Sequence, residues 1–292
     1  MLNSDGVHSF HQELTNTYFA KQVSYWTDIY RLQGVKEFIH QERLRILLDL
    51  VSRLSLPPET PTLEVGCGAG FAAIALAERG LRVDAIDPVQ EMLDATRVRA
   101  ETYKVEERVR TKIGDVYSLP FGDDTFNVVI AMGVLPWLSE IESPLREMNR
   151  VLVKGGYLIV TLDNRWSLRW LIEPLTNPLI TPGKELLKQA LRRLGYKQQD
   201  APWYPTTKPH VDAVLANADF EKLSGMTSGF GPFTCLSREL LPRRLGIKLH
   251  SKLQRLADRG IPILRSAGCH YIVLARKGRR SAQCHEVRQI QL

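Results

Sequence analysis

Three segments of the chain carry residues whose types and spacing could hold a ligand. Leu63-Glu-Val-Gly66-Cys-Gly68-Ala-Gly70 sets three glycines at alternate positions just behind an acid, Glu64. Glycine lets backbone pass close to a ligand where a Cβ would collide. A dinucleotide fingerprint needs its third glycine at position 71, which is the bulky Phe71 here. This spacing suits an adenosyl ligand that lacks a pyrophosphate. Further on, Ala85-Ile-Asp87-Pro88 ends in a carboxylate that can accept hydrogen bonds from both ribose hydroxyls. Asp87 equally suits a cap for the helix expected after it. Gly114-Asp115-Val116, followed by Leu119-Pro-Phe121, offers an acid for an adenine amino group and apolar neighbours for the base.

The elements that must position these segments follow from periodicity. Short apolar runs at Thr62–Val65, Val83–Ile86, Val109–Ile113, Phe126–Ala131 and Tyr157–Thr161 read as strands. Helical stretches near 71–80, 89–103 and 141–152 alternate with them, the signature of a parallel sheet covered by crossover helices. Two helices are expected before the first strand, through Tyr18–Tyr30 and Val35–Leu54. Pro57 and Pro58 end the second. After Leu162 regularity lapses into an insertion rich in Trp, Leu and Pro, with a short basic helix expected at Lys184–Arg193. Pro209–Ala218 reads as a helix, Phe220–Met226 as a strand, 229–264 as a second insertion and His270–Arg276 as the final strand.

Residues 60–163 resemble the class I S-adenosylmethionine-dependent methyltransferases, close to the small-molecule branch that contains ubiquinone/menaquinone-type enzymes. The resemblance rests on the three segments above, with Met92, Phe126-Asn-Val-Val-Ile-Ala-Met132 and Met148-Asn-Arg-Val-Leu-Val-Lys-Gly-Gly156, all in the family's order. It implies an α/β fold, a Rossmann-like doubly wound seven-stranded sheet whose last strand is antiparallel. It implies S-adenosyl-L-methionine as cofactor, with Glu64, Gly66, Cys67, Gly68 and Gly70 lining the methionine moiety. Asp87, with Pro88 and Met92 in the same segment, would bind the ribose side, Asp115 and Val116 the adenine, and Ala131 and Met132 would lie beside the sulfonium. The chain departs from its relatives at Leu135-Pro-Trp137, where they often carry histidine or polar residues. No acceptor-side base transfers to that position. The implied organisation is an N-terminal helical lid over 1–56 and a cofactor half over 57–163. An acceptor-side half over 164–277 follows, with insertions at 164–207 and 229–264, and then a basic tail over 278–292. Tyr18, Tyr25, Trp26 and Tyr30 would cover the cofactor as part of the lid, or serve ordinary core packing.

Charge divides the chain. Residues 1–163 hold 17 Lys+Arg against 23 Asp+Glu, and residues 164–292 hold 22 against 9, so the halves carry −6 and +13. The second half would concentrate anionic partners. Within it, Leu245, Leu249, Leu253 and Leu256 run beside Arg244, Lys248, Lys252 and Arg255, the pattern of a basic amphipathic helix. Such a helix over 240–256 can lie on an anionic membrane, greet a lipid-like acceptor, or pack on its own domain. The acceptor is therefore expected to be a small or lipid-like molecule that is apolar, anionic or membrane-associated, and His210 is the candidate base should one be needed. The four scattered cysteines show no zinc or disulfide spacing, and the amino terminus lacks the basic start and apolar core of a secretory signal. No metal site and a cytoplasmic location, peripheral to the membrane at most, are the expectations.

The expected activity is methyl transfer to oxygen or carbon of that acceptor. Methylation of RNA is the alternative that the basic half suggests. The Asn/Asp-Pro-Pro-Tyr/Phe motif of amino-group methylators is absent after the fourth strand, and no RNA-binding module is apparent, so nucleic acid is not the expected partner. A catalytically inactive cofactor-binding protein is the third reading.

Overall fold

In the computed structural model, described for residues 4–174, 177, 202–236 and 238–278, a seven-stranded sheet is flanked by helices on both faces. Three helices come first: α1 (Ser4–Ala20), α2 (Val23–Asp28) and α3 (Val35–Arg53). The single helix expected through Tyr18–Tyr30 is thus broken after Ala20: the 17-residue α1 ends within it and the 6-residue α2 follows. The alternation then begins, with β1 (Pro61–Val65), α4 (Phe71–Ala77), β2 (Arg82–Asp87), α5 (Gln90–Thr102), β3 (Val109–Ile113), β4 (Phe126–Ala131), α6 (Glu142–Val151) and β5 (Leu152–Asp163). The second half contributes α7 (Leu168–Ile172), α8 (Lys208–Asn217), β6 (Phe220–Ser228), a small hairpin of β7 (Thr234–Cys235) and β8 (Arg238–Glu239), α9 (Arg243–Asp258) and β9 (His270–Lys277). The basic helix expected at 184–193 and nearly all of the basic tail lie outside the described residues.

Strand order is β3-β2-β1-β4-β5-β9-β6, with β1 through β5 parallel and β9 antiparallel between β5 and β6. This is the seven-stranded arrangement with an antiparallel last strand. The chain runs outward in both directions from the neighbouring pair β1 and β4, and ligands of open α/β sheets bind at the carboxyl ends of strands at such a switch point. The central strands are buried on both faces, which explains their continuous apolar runs: Val128, Val129, Ile130 and Ala131 are all inaccessible. One face packs on α6 and α8 through Leu145, Met148, Val151, Val211 and Leu215. The other packs on α3, α4 and α5 through Leu47, Val51, Ile74, Leu76 and Leu93.

Helix α9 corrects one expectation. Its buried residues are Gly246, His250, Gln254 and Ala257, while Leu245 is 53% exposed and Leu249 and Leu253 only flank a small cluster around Phe230 and Phe233. The inward stripe is polar because it serves the backbone leaving β6. The Phe230 N–H donates to His250 Nδ1 (3.0 Å), so Nε2 carries the proton and donates to Glu42 Oε2 on α3 (3.0 Å). The Gly229 N–H donates to Gln254 Oε1 (3.1 Å). Among the described residues no helix is long and apolar enough to cross a membrane.

Replacing His250 by Leu strands a buried N–H and an acid at once. His250→Leu is expected to cost about 2–4 kcal/mol in urea unfolding, whereas Lys252→Ala on the exposed face should stay within about 0.5 kcal/mol.

Candidate active site

The loop after β1 is built from backbone that only glycine adopts readily. Gly66, Gly68 and Gly70 have φ of 65°, 53° and 77°. At Gly70 a Cβ would also stand 2.7 Å from Thr96, while nothing lies within 4 Å of the place a Cβ would occupy on Gly68. Phe71, at the position a third glycine would take, opens α4 and stacks on Tyr30 with ring centroids 4.0 Å apart. The Arg99 guanidinium lies over the Phe71 ring, 3.5 Å from its centroid. Arg99 also donates to the Ala69 carbonyl in the loop (2.8 Å) and the Thr27 carbonyl in α2 (3.2 Å). The N-terminal helices are thereby fastened to the glycine loop.

Asp87 ends β2 and is buried beside that loop. Its Oδ2 accepts the Gly68 N–H (2.9 Å) and its Oδ1 accepts the Val89 N–H (3.0 Å). The capping geometry and a ligand role are compatible, because each carboxylate oxygen keeps a further lone pair. Burial pushes the carboxyl up to about 6, against the two N–H groups that favour its charge. Glu64, one residue before β1 ends, is 3% exposed, and its Oε2 has no hydrogen-bond partner. Burial, with the Asp87 charge adding to it, pushes Glu64 up to about 8 despite a bond from the Ala73 N–H. Cys67 is buried, which pushes its thiol well up, and Met92 is buried in α5.

The remaining residues singled out from the sequence line the same rim. Asp115 is exposed after β3, where its Oδ1 accepts the Tyr117 N–H (3.0 Å), and Val116 is buried beneath it. Arg150 on α6 holds the loop that follows, donating to the Leu119 and Phe121 carbonyls and pairing with Glu147 and Asp123. Pro88 is exposed at the start of the β2–α5 turn. Ala131 is buried at the tip of β4 and Met132 is half-buried next to it. The Gly133 N–H then donates to Thr161 Oγ1 on β5 (2.6 Å). Leu135–Trp137 forms a 3-10 turn, and α1 covers it: Tyr18 stacks on Trp137 at 5.6 Å and Phe19 meets it edge-on at 5.0 Å.

His210 stands apart from these groups. It is exposed on the first turn of α8, and the charge it bears on is Glu142 on α6. The histidines at the rim are two that sequence reasoning passed over, His40 on α3 and His270 at the start of β9, with ring centroids 6.1 Å apart. Each Nδ1 is buried without a partner, and burial, with the Arg43 charge next, holds both imidazoles well below their usual range. Asp163 at the tip of β5 lies 3.7 Å from His270 Nε2 and accepts the Trp203 indole N–H (2.7 Å). A signal for this group existed in α3, since Lys36, His40 and Arg43 recur at helical spacing on one face.

Residues 63–160 match the methyltransferase domain family. Over that stretch the chain is similar to methyltransferases. Among curated relatives, methyltransferase GfsG of Streptomyces halstedii is 30% identical over 151 residues, 51% of this chain and 53% of its own length. The ubiquinone/menaquinone biosynthesis C-methyltransferase UbiE of Paracoccus denitrificans is 38% identical over 117 residues, 38% of this chain and 46% of its own. The chain thus spans about half the length of the curated relatives it matches. The solved magnesium protoporphyrin IX methyltransferase of Synechocystis PCC 6803 shares the methyltransferase fold, with TM-score 0.62 at 16% identity over 91% of this chain and 100% of that one. The methyltransferase domain fits the family's cofactor at two points, the unpartnered buried oxygen of Glu64 and the open space over Gly68.

The Glu64 value of about 8 in the folded protein lies above its ordinary 4.5. The neutral form therefore contributes stability that is complete below about 4.5 and is lost as pH rises through about 8. Glu64→Gln fixes a neutral group in place. In calorimetric melts without cofactor, the melting temperature of Glu64→Gln minus that of the parent should widen across this window, by several degrees in order of magnitude, and stay flat outside it.

Proposed function

We propose that the protein is a methyltransferase that carries a methyl group to oxygen or carbon of a small-molecule or lipid-like acceptor. The observation that carries this reading is the convergence of three consecutive strand tips, at Gly66–Gly70, Asp87 and Asp115, within the stretch that matches the methyltransferase domain family. In this reading Glu64, Gly66, Cys67, Gly68 and Gly70 hold the amino-acid end of S-adenosylmethionine. Asp87 binds the ribose hydroxyls, with Pro88 and Met92 shaping that side, and Asp115 and Val116 hold the adenine. Ala131 and Met132 stand beside the reacting centre. When bound, the cofactor supplies an activated methyl group on a sulfonium.

The chain's own contribution is position and dryness. Reactions of this kind gain most from a nucleophile held in line and from exclusion of water. Tyr18, Phe19, Tyr30 and Trp137 roof the rim with aromatic surface, which excludes water without contributing charge. An acceptor hydroxyl or acidic carbon needs a base. His40 and His270, held unprotonated, are better placed for that duty than the exposed His210. The names of relatives that act on a quinone precursor or on a porphyrin support an acceptor with a large apolar body.

The acceptor's source is the second part of the proposal. Leu240, Leu245, Ile261 and Ile263 are exposed around α9, the last at 81%, next to exposed Arg244, Lys248, Lys252 and Arg255. Apolar tips within a basic rim are what a peripheral contact with an anionic membrane requires. The described cysteines are unpaired, which suits the reducing cytoplasm.

Labelled cofactor incubated with lipid, polar-metabolite and RNA fractions should label the lipid or metabolite fraction. Label in RNA alone, or in none, would overturn the proposal. Asp87→Ala should weaken S-adenosylhomocysteine binding at least tenfold by calorimetry, since it removes the ribose acceptor and the brace of the loop. In flotation assays the parent should rise with phosphatidylglycerol vesicles and not with neutral ones. Charge reversal of Arg244, Lys248, Lys252 and Arg255 should abolish this, and an unchanged result would remove the membrane contact from the proposal.

A further inference from the structure

Two arginines at the proposed acceptor side of the rim have no counter-ion among the described residues. Arg43 on α3 is half-buried against the backbone after β4, where a Cβ on Gly133 would stand 2.7 Å from its Nη1. Arg169 on α7 is half-buried with its guanidinium 4.2 Å over the Trp170 ring, and its Nε is buried without a hydrogen-bond partner. Neither forms a salt bridge with any described residue. Both bear on Asp163 from beyond ion-pair distance, and that carboxylate is already engaged by Trp203 and His270. The imidazoles on which both charges act, His40 and His270, are neutral and offset none of the charge. Lys36, exposed at the mouth and set over Tyr25, adds a third positive charge that reaches His40.

A cation drawn out of water costs folding free energy that a distant, already engaged carboxylate returns only in part. Two such cations, from helices 126 residues apart in the chain, converge on the tips of β4 and β5. Guanidinium forks match carboxylate and phosphate oxygens in pairs. We infer that Arg43 and Arg169 bind a carboxylate or phosphate group of the acceptor, fixing it beside Gly133 at the point of transfer. This rests on the proposed methyltransferase reading, which sets the acceptor at that rim. It is distinct from the basic surface of α9, which faces outward.

The test uses the full chain saturated with S-adenosylhomocysteine and titrated with decanoate, decyl phosphate, decanol and inorganic phosphate. Decanoate or decyl phosphate should bind at least tenfold more tightly than decanol. Which of the two prevails separates a carboxylate acceptor from a phosphorylated one, and inorganic phosphate reads the headgroup without the apolar body. Arg43→Met and Arg169→Gln should each remove most of the anion preference while S-adenosylhomocysteine affinity stays within twofold. Should Arg43→Met fail to fold, Arg169→Gln carries the same comparison. Equal affinity for the charged chains and decanol, or a preference kept by both variants, overturns the inference. Absent S-adenosylhomocysteine binding alongside an intact, arginine-dependent anion preference would instead overturn the functional reading and leave the anion site standing.

Discussion

The Asp87 carboxylate joins two turns that would otherwise be independent. One oxygen holds the Gly68 N–H in the loop after β1 and the other holds the Val89 N–H at the start of α5. Left-handed glycines make the loop possible but do not hold it, since glycine has the most conformational freedom to lose. A buried acid that two backbone donors keep in place supplies that restraint. The same restraint sets the spacing between the β1 and β2 tips, and with it the span over which a ligand can be gripped. Thr96 reinforces it from α5, donating to the Gly68 carbonyl at 2.9 Å.

The two sides of the rim differ in how their charge is managed. On the side proposed for the cofactor, acids are buried and their proton affinities raised, with backbone N–H groups as the main compensation. On the side proposed for the acceptor the buried or half-buried ionisable groups are mostly basic, with aromatic rings packed against several of them. The charges of both arginines act on the neutral imidazoles there. The rim is thus acidic at one end and basic at the other, an internal polarity that the overall split between −6 and +13 does not explain. Arg43 and His40 come from the acidic half of the chain.

The cofactor side was legible in the sequence because its chemistry is local. Three glycines, an acid at a strand end and a continuous apolar run are read from neighbouring residues, and the parallel sheet with its crossover helices follows from the alternation they punctuate. The antiparallel β9 came from the family resemblance rather than from periodicity. The acceptor side was not legible, because residues 40, 43, 163, 169, 203 and 270 meet only once the sheet is closed. In α3 the polar face of Lys36, His40 and Arg43 was overshadowed by the leucines of the opposite face. In α9 the leucine stripe drew the eye, yet the inward residues are those with hydrogen bonds to give. A helix that completes a strand's backbone bonding is patterned by those bonds and not by hydrophobicity.

The roof over the rim has almost no core of its own. No residue of α2 is buried, and α1, α2 and the turn after them hold their places through Trp137 and Tyr204 in loops, Phe71 on α4 and Arg99 on α5, all of which belong to the body that carries the sheet. Their order is borrowed. In the hierarchy of local unfolding such a segment sits near the bottom, able to detach without disturbing the body beneath it. Detachment of this segment would bare the rim proposed for methyl transfer while leaving the sheet that sets its geometry in place.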